Sequence, residues 1–194
     1  QVKLRPGIVF HNGEPFNADA VVFSIKRLID PKFNSEQISF FNTIKDAAKL
    51  DDLTVTIQTD GPDPILLSRL YWLKMVPPTH AANANFAETP VGTGRYIFSS
   101  WKRGQNIVLE RNEDYWGETP SIEKVTFGFV EEPGTRLAGL MAGEFDLITN
   151  LLPEFTQQVP QAVNILGLEH PIIILHADGG PTQDVRVRQA LNYA

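Results

Sequence analysis

Two hydrophobic periodicities alternate along this chain, and this alternation restricts its fold more than any other feature does. Residues 18–29 carry apolar side chains at helical spacing, whereas residues 49–59 contain a strand in which apolar and polar side chains alternate. Segments with helical spacing and segments with strand alternation follow one another through the remaining sequence as well. Because helices and strands follow one another in short segments, the sequence predicts an α/β protein with mixed sheets.

The first helix has the clearest boundaries. Asn17 precedes it and can cap its N-terminus, and Pro31 lies just beyond its end. The other predicted elements are a strand through residue 10, a short helix at 64–70, hairpin strands at 95–101 and 106–111, a strand at 122–130, a helix at 133–142, a strand at 145–148, a short helix at 153–159, a strand at 172–175 and a helix from 184 onward.

Residues 77–90 differ from their surroundings in composition. They are small and polar, dominated by Ala, Asn and Pro, and the segments that follow are mainly strands. Such a stretch is typical of a boundary between structural units. We therefore expect two mixed α/β units, with the chain crossing between them near residues 77–92.

Charge and composition exclude several classes of function. The net charge is −6, and the basic residues form no extended cluster, which argues against a nucleic-acid partner. The chain has no cysteine, so thiol catalysis, thiolate metal sites and disulfides are excluded. No apolar run approaches the roughly 18 to 20 residues that a membrane span requires.

The polar residues show no catalytic or metal-binding pattern. The histidines are at positions 11, 80, 170 and 176, and the last two would be about 20 Å apart on one strand, too far to share a metal. Glu144 and Asp146 alternate onto one strand face, which is a weak hint of acid–base chemistry. There is no Gly-x-Ser-x-Gly motif. The sequence predicts a binding protein with no cofactor, no metal and no catalytic residue.

Both ends of the sequence lie inside secondary-structure patterns. The first residues alternate as in a strand, and a helical pattern from 184 continues to the last residue without a capping signal. We expect the chain to be a piece of a longer protein, whose signal peptide or lipid attachment lies upstream. Apolar surface and strand edges exposed in the piece would then favour self-association.

Several motifs follow one another along the chain: HNGEPF at 11–16 with ADAVVFS at 18–24, PVGTG at 90–94, ERN at 110–112 with YWG at 115–117, GEFDL at 143–147, and DVRVRQAL at 184–191. In this order they resemble the motifs of the family 5 extracellular solute-binding proteins of ABC importers. The resemblance covers nearly the whole chain. Arg95 stands where the family commonly has proline, which alters only a turn preference. The segment 176–182 is short and lacks the family's usual Asn, Pro and Pro-Phe arrangement, so the resemblance does not extend to the detailed hinge geometry.

The resemblance implies a periplasmic-binding-protein-like fold of type II, cluster C. Residues 1–88 would form the accessory domain of the first lobe and residues 89–175 its core domain. Residues 176–194 would cross the hinge and begin a second lobe that this chain lacks. The main anchors for peptide termini would lie largely in that second lobe.

The same resemblance implies a function. The whole protein would bind peptides or similar small solutes in the periplasm or outside the cell and deliver them to a membrane permease. It implies ligand-binding roles for Thr149, Asn150, Leu151, Ile174 and His176, in which Thr149 and Asn150 could hydrogen-bond a peptide backbone and Leu151 would pack. A plain connecting loop at 149–151 is an equal alternative.

Three other functions remain open at this stage. The chain could bind nickel or another metal chelate, could be the sensing domain of a receptor with the same fold, or could belong to an enzyme whose catalytic half lies outside these residues. A membrane segment in the whole protein would favour the receptor, and turnover of a substrate would favour the enzyme.

The histidine spacing leads to a first prediction. Because no residues stand at chelating spacing, treatment with EDTA should leave the melting temperature of the chain unchanged. Differential scanning calorimetry with and without the chelator measures this. A drop of several degrees would show that the chain holds a structural metal.

Overall fold

The computed structural model describes residues 1–83, 85–164 and 175–193. Its contacts divide the chain into two compact units, Gln1–Glu131 and Glu132–Ala194. The predicted α/β class is confirmed, and both sheets of the described residues are antiparallel where the sequence analysis expected mixed sheets. The boundaries at residues 88 and 175 concern domains of the whole protein and stay a prediction.

The first unit contains two three-stranded sheets. The strands of one precede the polar stretch at 77–92 in the sequence, and the strands of the other follow it. In chain order its strands and helices are β1 (Val2–Lys3), α1 (Ala18–Ile29), β2 (Ile44–Asp51), β3 (Thr54–Thr59), α2 (Leu66–Leu70), α3 (Pro78–Ala81), β4 (Tyr96–Lys102), β5 (Asn106–Arg111) and β6 (Lys124–Gly128), with a 3₁₀ turn at Ile38–Phe41.

Helix α1 packs on the first sheet, whose strand order is β1-β3-β2. Asn17 caps the helix as predicted, since its Oδ1 accepts a hydrogen bond of 3.1 Å from the Ala20 N–H. Ile25 and Val55 are fully buried where helix and sheet meet. The core is completed by Ala18, Val21, Phe41, Ile44, Ala47 and Leu73.

Strand β2 is absent from the sequence prediction, and its irregular pairing explains why. Its register against β3 shifts between Ile44 and Asp46 and again between Lys49 and Asp51. A bulge inserts an unpaired residue, so inward-facing positions no longer alternate. Ile44 and Ala47 are both buried and are three residues apart. A regular strand buries every second residue, so this spacing does not match the pattern by which strands are recognised in a sequence.

The second sheet, ordered β4-β5-β6, begins with the predicted hairpin. Gly104 has φ +70°, and the Gln105 N–H donates 2.9 Å to the Lys102 carbonyl. A three-residue loop with glycine in the left-handed region is a common hairpin connection. Lys102 and Asn106 are the last pair before this loop, so the hairpin forms where the sequence predicts it.

The second unit contains α4 (Pro133–Met141), α5 (Val185–Tyr193) and 3₁₀ turns at Pro153–Gln158 and Pro181–Gln183. The prediction of a strand at 145–148 is wrong. The Glu144 and Phe145 N–H groups both donate to the Gly139 carbonyl, at 2.8 and 3.4 Å, so the chain folds back on the end of α4. The predicted strand at 172–175 lies almost wholly outside the described residues.

Within the described part of the chain, the helices are all too short and too polar for one of them to pass through a bilayer.

The cap of α1 leads to a second prediction. Asn17→Ala leaves the Ala20 N–H without its acceptor and should lower the free energy of unfolding by about 1 kcal/mol. Asn17→Asp is the matched control, because its carboxylate accepts the same hydrogen bond. Urea denaturation of the three proteins measures the difference. Equal stability of Asn17→Ala and the wild type would contradict the role of this cap.

The start of α4 leads to a third prediction. Three hydrogen bonds to its carboxylate lower the pKa of Glu132 below its usual value. The bond from the Gly134 N–H has the largest effect, and those from the hydroxyl and the N–H of Thr135 come next. A lowered pKa stabilises the fold above the unfolded-state pKa, and this stability is lost as the pH falls through the folded-state pKa. Glu132→Gln should therefore reduce the loss of stability between neutral pH and about pH 3, below the ordinary glutamate pKa.

Urea midpoints of wild type and variant at the two pH values measure this effect. Glu118→Gln is the control, because Glu118 is exposed and accepts no hydrogen bond from the described residues. The same reduction in both variants would mean that Glu132 contributes only its net charge.

Candidate functional site

One turn of the first unit is tied to a distant loop by the side chain of His11. The His11 N–H donates 2.9 Å to the Gly92 carbonyl, and its Nε2 lies 3.0 Å from the Gly94 carbonyl. The Gly92 N–H lies 3.4 Å from His11 Nδ1. The neutral ring with its proton on Nε2 satisfies both contacts, because Nε2 then donates and Nδ1 accepts.

The same loop is held from the other side by residues that follow β5. Asn112 Nδ2 donates 3.1 Å to the Gly94 carbonyl, and Trp116 Nε1 donates 3.0 Å to the Thr93 carbonyl. The guanidinium of Arg5 lies 4.6 Å from the centre of the Trp116 ring. The loop at 92–94 is thus fixed by hydrogen bonds to its backbone carbonyls.

Glu14 connects the first turn to helix α3. Its carboxylate accepts hydrogen bonds from the Thr79 and His80 N–H groups, at 2.9 and 3.1 Å, at the start of that helix. Desolvation raises the pKa of Glu14, but these donors and the Asn12 amide outweigh it, so the pKa lies below its usual value. Glu14 therefore caps α3 from a remote part of the chain.

These contacts explain what the first and central motifs contribute. The side chains of His11, Asn112 and Trp116 form hydrogen bonds with the 92–94 loop. The Glu14 carboxylate accepts hydrogen bonds at the start of α3. The motifs were recognisable in the sequence, but no role was predicted for these side chains. Their contacts are structural, since each of them joins segments of the first unit.

The second unit contains a groove of about 720 Å³. It is lined by residues 146–151, by residues 159–164, and by Leu140 and Thr156. The lining mixes apolar side chains with hydroxyl and amide groups, and Asp146 contributes a carboxylate. A concave surface with a few polar groups among apolar ones is typical of a site for a small organic ligand.

The end of α4 directs the chain into this groove. Gly143 adopts a left-handed conformation with φ +75°, and its N–H donates 3.1 Å to the Leu140 carbonyl. This is a common way for a helix to end. A Cβ on Gly139 would lie 2.4 Å from the Phe145 ring, so glycine is required where the returning chain packs on the helix.

The loop at 149–151 is anchored by its backbone. Arg136 Nη2 donates 3.2 Å to the Asn150 carbonyl, and Asn150 has φ +55°, a region that asparagine tolerates better than most residues. Thr149 and Asn150 are exposed, and Leu151 is half-buried. Neither polar side chain forms a hydrogen bond with the described residues, so both are available to a ligand.

The five predicted ligand-binding residues do not all come together. Thr149, Asn150 and Leu151 line the groove. His176 is exposed and is not among the lining residues. Its Nδ1 accepts from the Asp178 N–H at 3.3 Å and its carbonyl accepts from the Thr182 hydroxyl at 2.6 Å, which organises a turn. Ile174 lies outside the described residues, and all five assignments stay predictions.

The sequence did not predict that residues 159–164 line the groove. This segment has no regular secondary structure and follows the 3₁₀ turn Pro153–Gln158. A polar, irregular stretch has no periodicity from which a ligand-facing position can be inferred. Only folding back beside residues 146–151 makes it part of the groove.

Among residues 1–83, 85–164 and 175–193, no three His, Asp or Glu side chains come close enough together to hold a metal ion. The groove offers hydrogen-bonding groups, apolar contacts and one carboxylate. These can bind and orient a solute.

Comparison with known proteins shows relatives over the whole chain. The model for "Bacterial extracellular solute-binding proteins, family 5 Middle" matches residues 1–194. The nickel-binding periplasmic protein of Escherichia coli is 31% identical over 208 residues, which are 98% of this chain and 39% of the relative.

Two solved structures extend the likeness to the fold. NikZ from Campylobacter jejuni, in complex with Ni(L-His), has a TM-score of 0.78 and 28% identity over 98% of this chain and 40% of its own. DppA from Helicobacter pylori, an ABC transporter-associated periplasmic binding protein in complex with the peptide STSA, has a TM-score of 0.73 and 27% identity over 81% of this chain and 36% of its own.

The chain thus spans about 40% of the length of these relatives. They confirm the predicted fold class, because both solved structures are periplasmic binding proteins of the same architecture. Since the family model matches every residue from 1 to 194, the chain belongs to the family 5 bacterial extracellular solute-binding proteins.

Proposed function

We propose that the whole protein is the solute-binding component of an ABC importer. It captures peptides or similar small solutes outside the cytoplasm and delivers them to a membrane permease. The observation that carries this proposal is the family match over residues 1–194. The transporter context is supported by DppA, which is described as ABC transporter-associated.

The groove at 146–151 and 159–164 supplies part of the proposed binding surface. A solute taken out of water must have its polar groups paired, since an unpaired buried group costs several kcal/mol. Thr149 and Asn150 offer a hydroxyl and an amide, and Leu147 and Leu151 offer apolar contact. Closure of a second lobe over this surface would surround the solute with further partners.

A second solute class is favoured by a specific observation. The Escherichia coli relative is a nickel-binding protein, and NikZ was solved with Ni(L-His). A metal bound as a chelate presents the polar and apolar surface of its organic ligand to the protein. The groove therefore suits a peptide or a metal chelate, and for a chelate the metal would be cargo.

We further propose that the protein does not chemically change its solute. The relatives are binding proteins, and the described residues of the groove contain one carboxylate, Asp146, without a second acid–base group beside it. The proposed location is the periplasm or the cell exterior, as for the periplasmic relatives.

Binding measurements on the full-length protein test the proposed site. Isothermal titration calorimetry with a peptide library and with Ni(L-His) first identifies a ligand. Thr149→Val then removes one hydroxyl at constant shape, and Asn150→Gly removes the amide while keeping a residue that tolerates φ +55°. Each variant should weaken binding by about 0.5–1.5 kcal/mol, roughly 2- to 12-fold.

Thr126→Val on β6 is the matched control for the loss of a threonine hydroxyl outside the groove. It should bind as the wild type does. Unchanged affinity in both groove variants would remove residues 149–151 from the site. Absence of binding to every peptide and chelate by the intact protein would contradict the proposed function itself.

A further inference from the structure

A second, smaller cavity opens in the first unit, beside the end of α1. Its volume is about 110 Å³. The side chains of Arg27 and Lys74 line it together with Ser35 and Gln37, and Leu73 contributes apolar surface. No Asp or Glu is among the described residues that line it. It lies within the first unit and is separate from the solute groove.

Arg27 lies against two aromatic rings and has no anionic partner among the described residues. Its guanidinium lies 3.8 Å from the centre of the Phe33 ring and 5.5 Å from that of Phe86. Within the described part of the chain, no carboxylate forms an ion pair with it. Stacking occupies the faces of a guanidinium and leaves the N–H donors at its edge available.

Lys74 is the second cation of the cavity. Its ammonium lies 5.8 Å from the centre of the Trp72 ring, and it too has no ion-pair partner among the described residues. Other cations of the same unit do pair with aspartates, namely Lys26, Lys45, Lys49 and Arg69. Arg27 and Lys74 therefore place two cations without a described ion-pair partner at one cavity.

The neutral groups of the cavity add hydrogen-bond donors. Ser35 Oγ accepts 3.3 Å from the Gln37 N–H, which leaves the hydroxyl proton for another acceptor. The Gln37 amide supplies two N–H groups. Two cations, a hydroxyl and an amide, with no carboxylate among the described lining residues, form a donor set that suits an anion rather than a cation.

The volume restricts the size of that anion. At about 110 Å³ it is well below the roughly 300–1,000 Å³ typical of sites for organic ligands. A small tetrahedral oxyanion matches this size better than a nucleotide or a peptide does. We propose that this cavity is a binding site for a small oxyanion of the phosphate or sulfate class.

Titration of the full-length protein with inorganic phosphate tests the proposal. At constant ionic strength, replacing chloride by phosphate should raise the melting temperature, and calorimetry should give a dissociation constant. Lys74→Gln and Arg27→Gln should each weaken phosphate binding about tenfold or more, as expected for a hydrogen bond to a charged group. Lys74 is exposed, so its variant keeps the test valid if Arg27→Gln fails to fold.

Lys124→Gln is the matched control, because it removes one exposed positive charge from β6, outside the cavity. It should leave phosphate binding unchanged. No preference for phosphate over chloride, or an equal loss in the Lys124 variant, would overturn the proposal. Co-sedimentation with phosphatidylglycerol vesicles separates a lipid headgroup from the free ion, and binding to vesicles without binding to inorganic phosphate would also overturn it.

Discussion

The first unit depends on the hydrogen bonds that fix the backbone of residues 92–94. His11, Asn112 and Trp116 reach this loop from both sides, and each donates to one of its carbonyls. A loop with glycines at both ends has many accessible conformations, so its order must come from such contacts. The loop connects the part of the chain that holds the first sheet to the part that holds the second.

The residues that hold the first unit together differ from the residues that line the groove of the second unit. The residues of the first and central motifs join segments of the first unit, whereas the groove in the second unit is lined by ordinary hydroxyl, amide and aliphatic side chains. The two solved relatives hold different solutes, Ni(L-His) in NikZ and the peptide STSA in DppA. Function resides in sites placed on a fold rather than in the fold itself.

The groove and the cavity differ in the chemistry that they offer. The groove beside 149–151 presents mostly neutral groups and one carboxylate, while the cavity beside α1 presents two cations that have no ion-pair partner among the described residues. Their volumes, about 720 and 110 Å³, suit an organic solute and a small ion respectively. The chain therefore carries one proposed solute surface and one proposed ion site, in separate units.

The sequence by itself determined the elements with strong local signals. Helix α1, with Asn17 as its cap, and the hairpin around Gly104 form where the sequence predicts them, because capping and left-handed glycine act over a few residues. The motif order also identified the family. Thr149, Asn150 and Leu151 were predicted through this resemblance, and the structure brings them to one groove.

Tertiary structure alone decided the rest. Strand β2 depends on pairing with β3 across bulges, and residues 145–148 fold back on α4 instead of forming a strand. The roles of His11 and Glu14 depend on partners more than 60 residues away. The cavity beside α1 likewise brings together residues that are distant in the sequence, Arg27 and Lys74. Such contacts produce no local periodicity in the sequence, because they join segments that are far apart along the chain and meet only after folding.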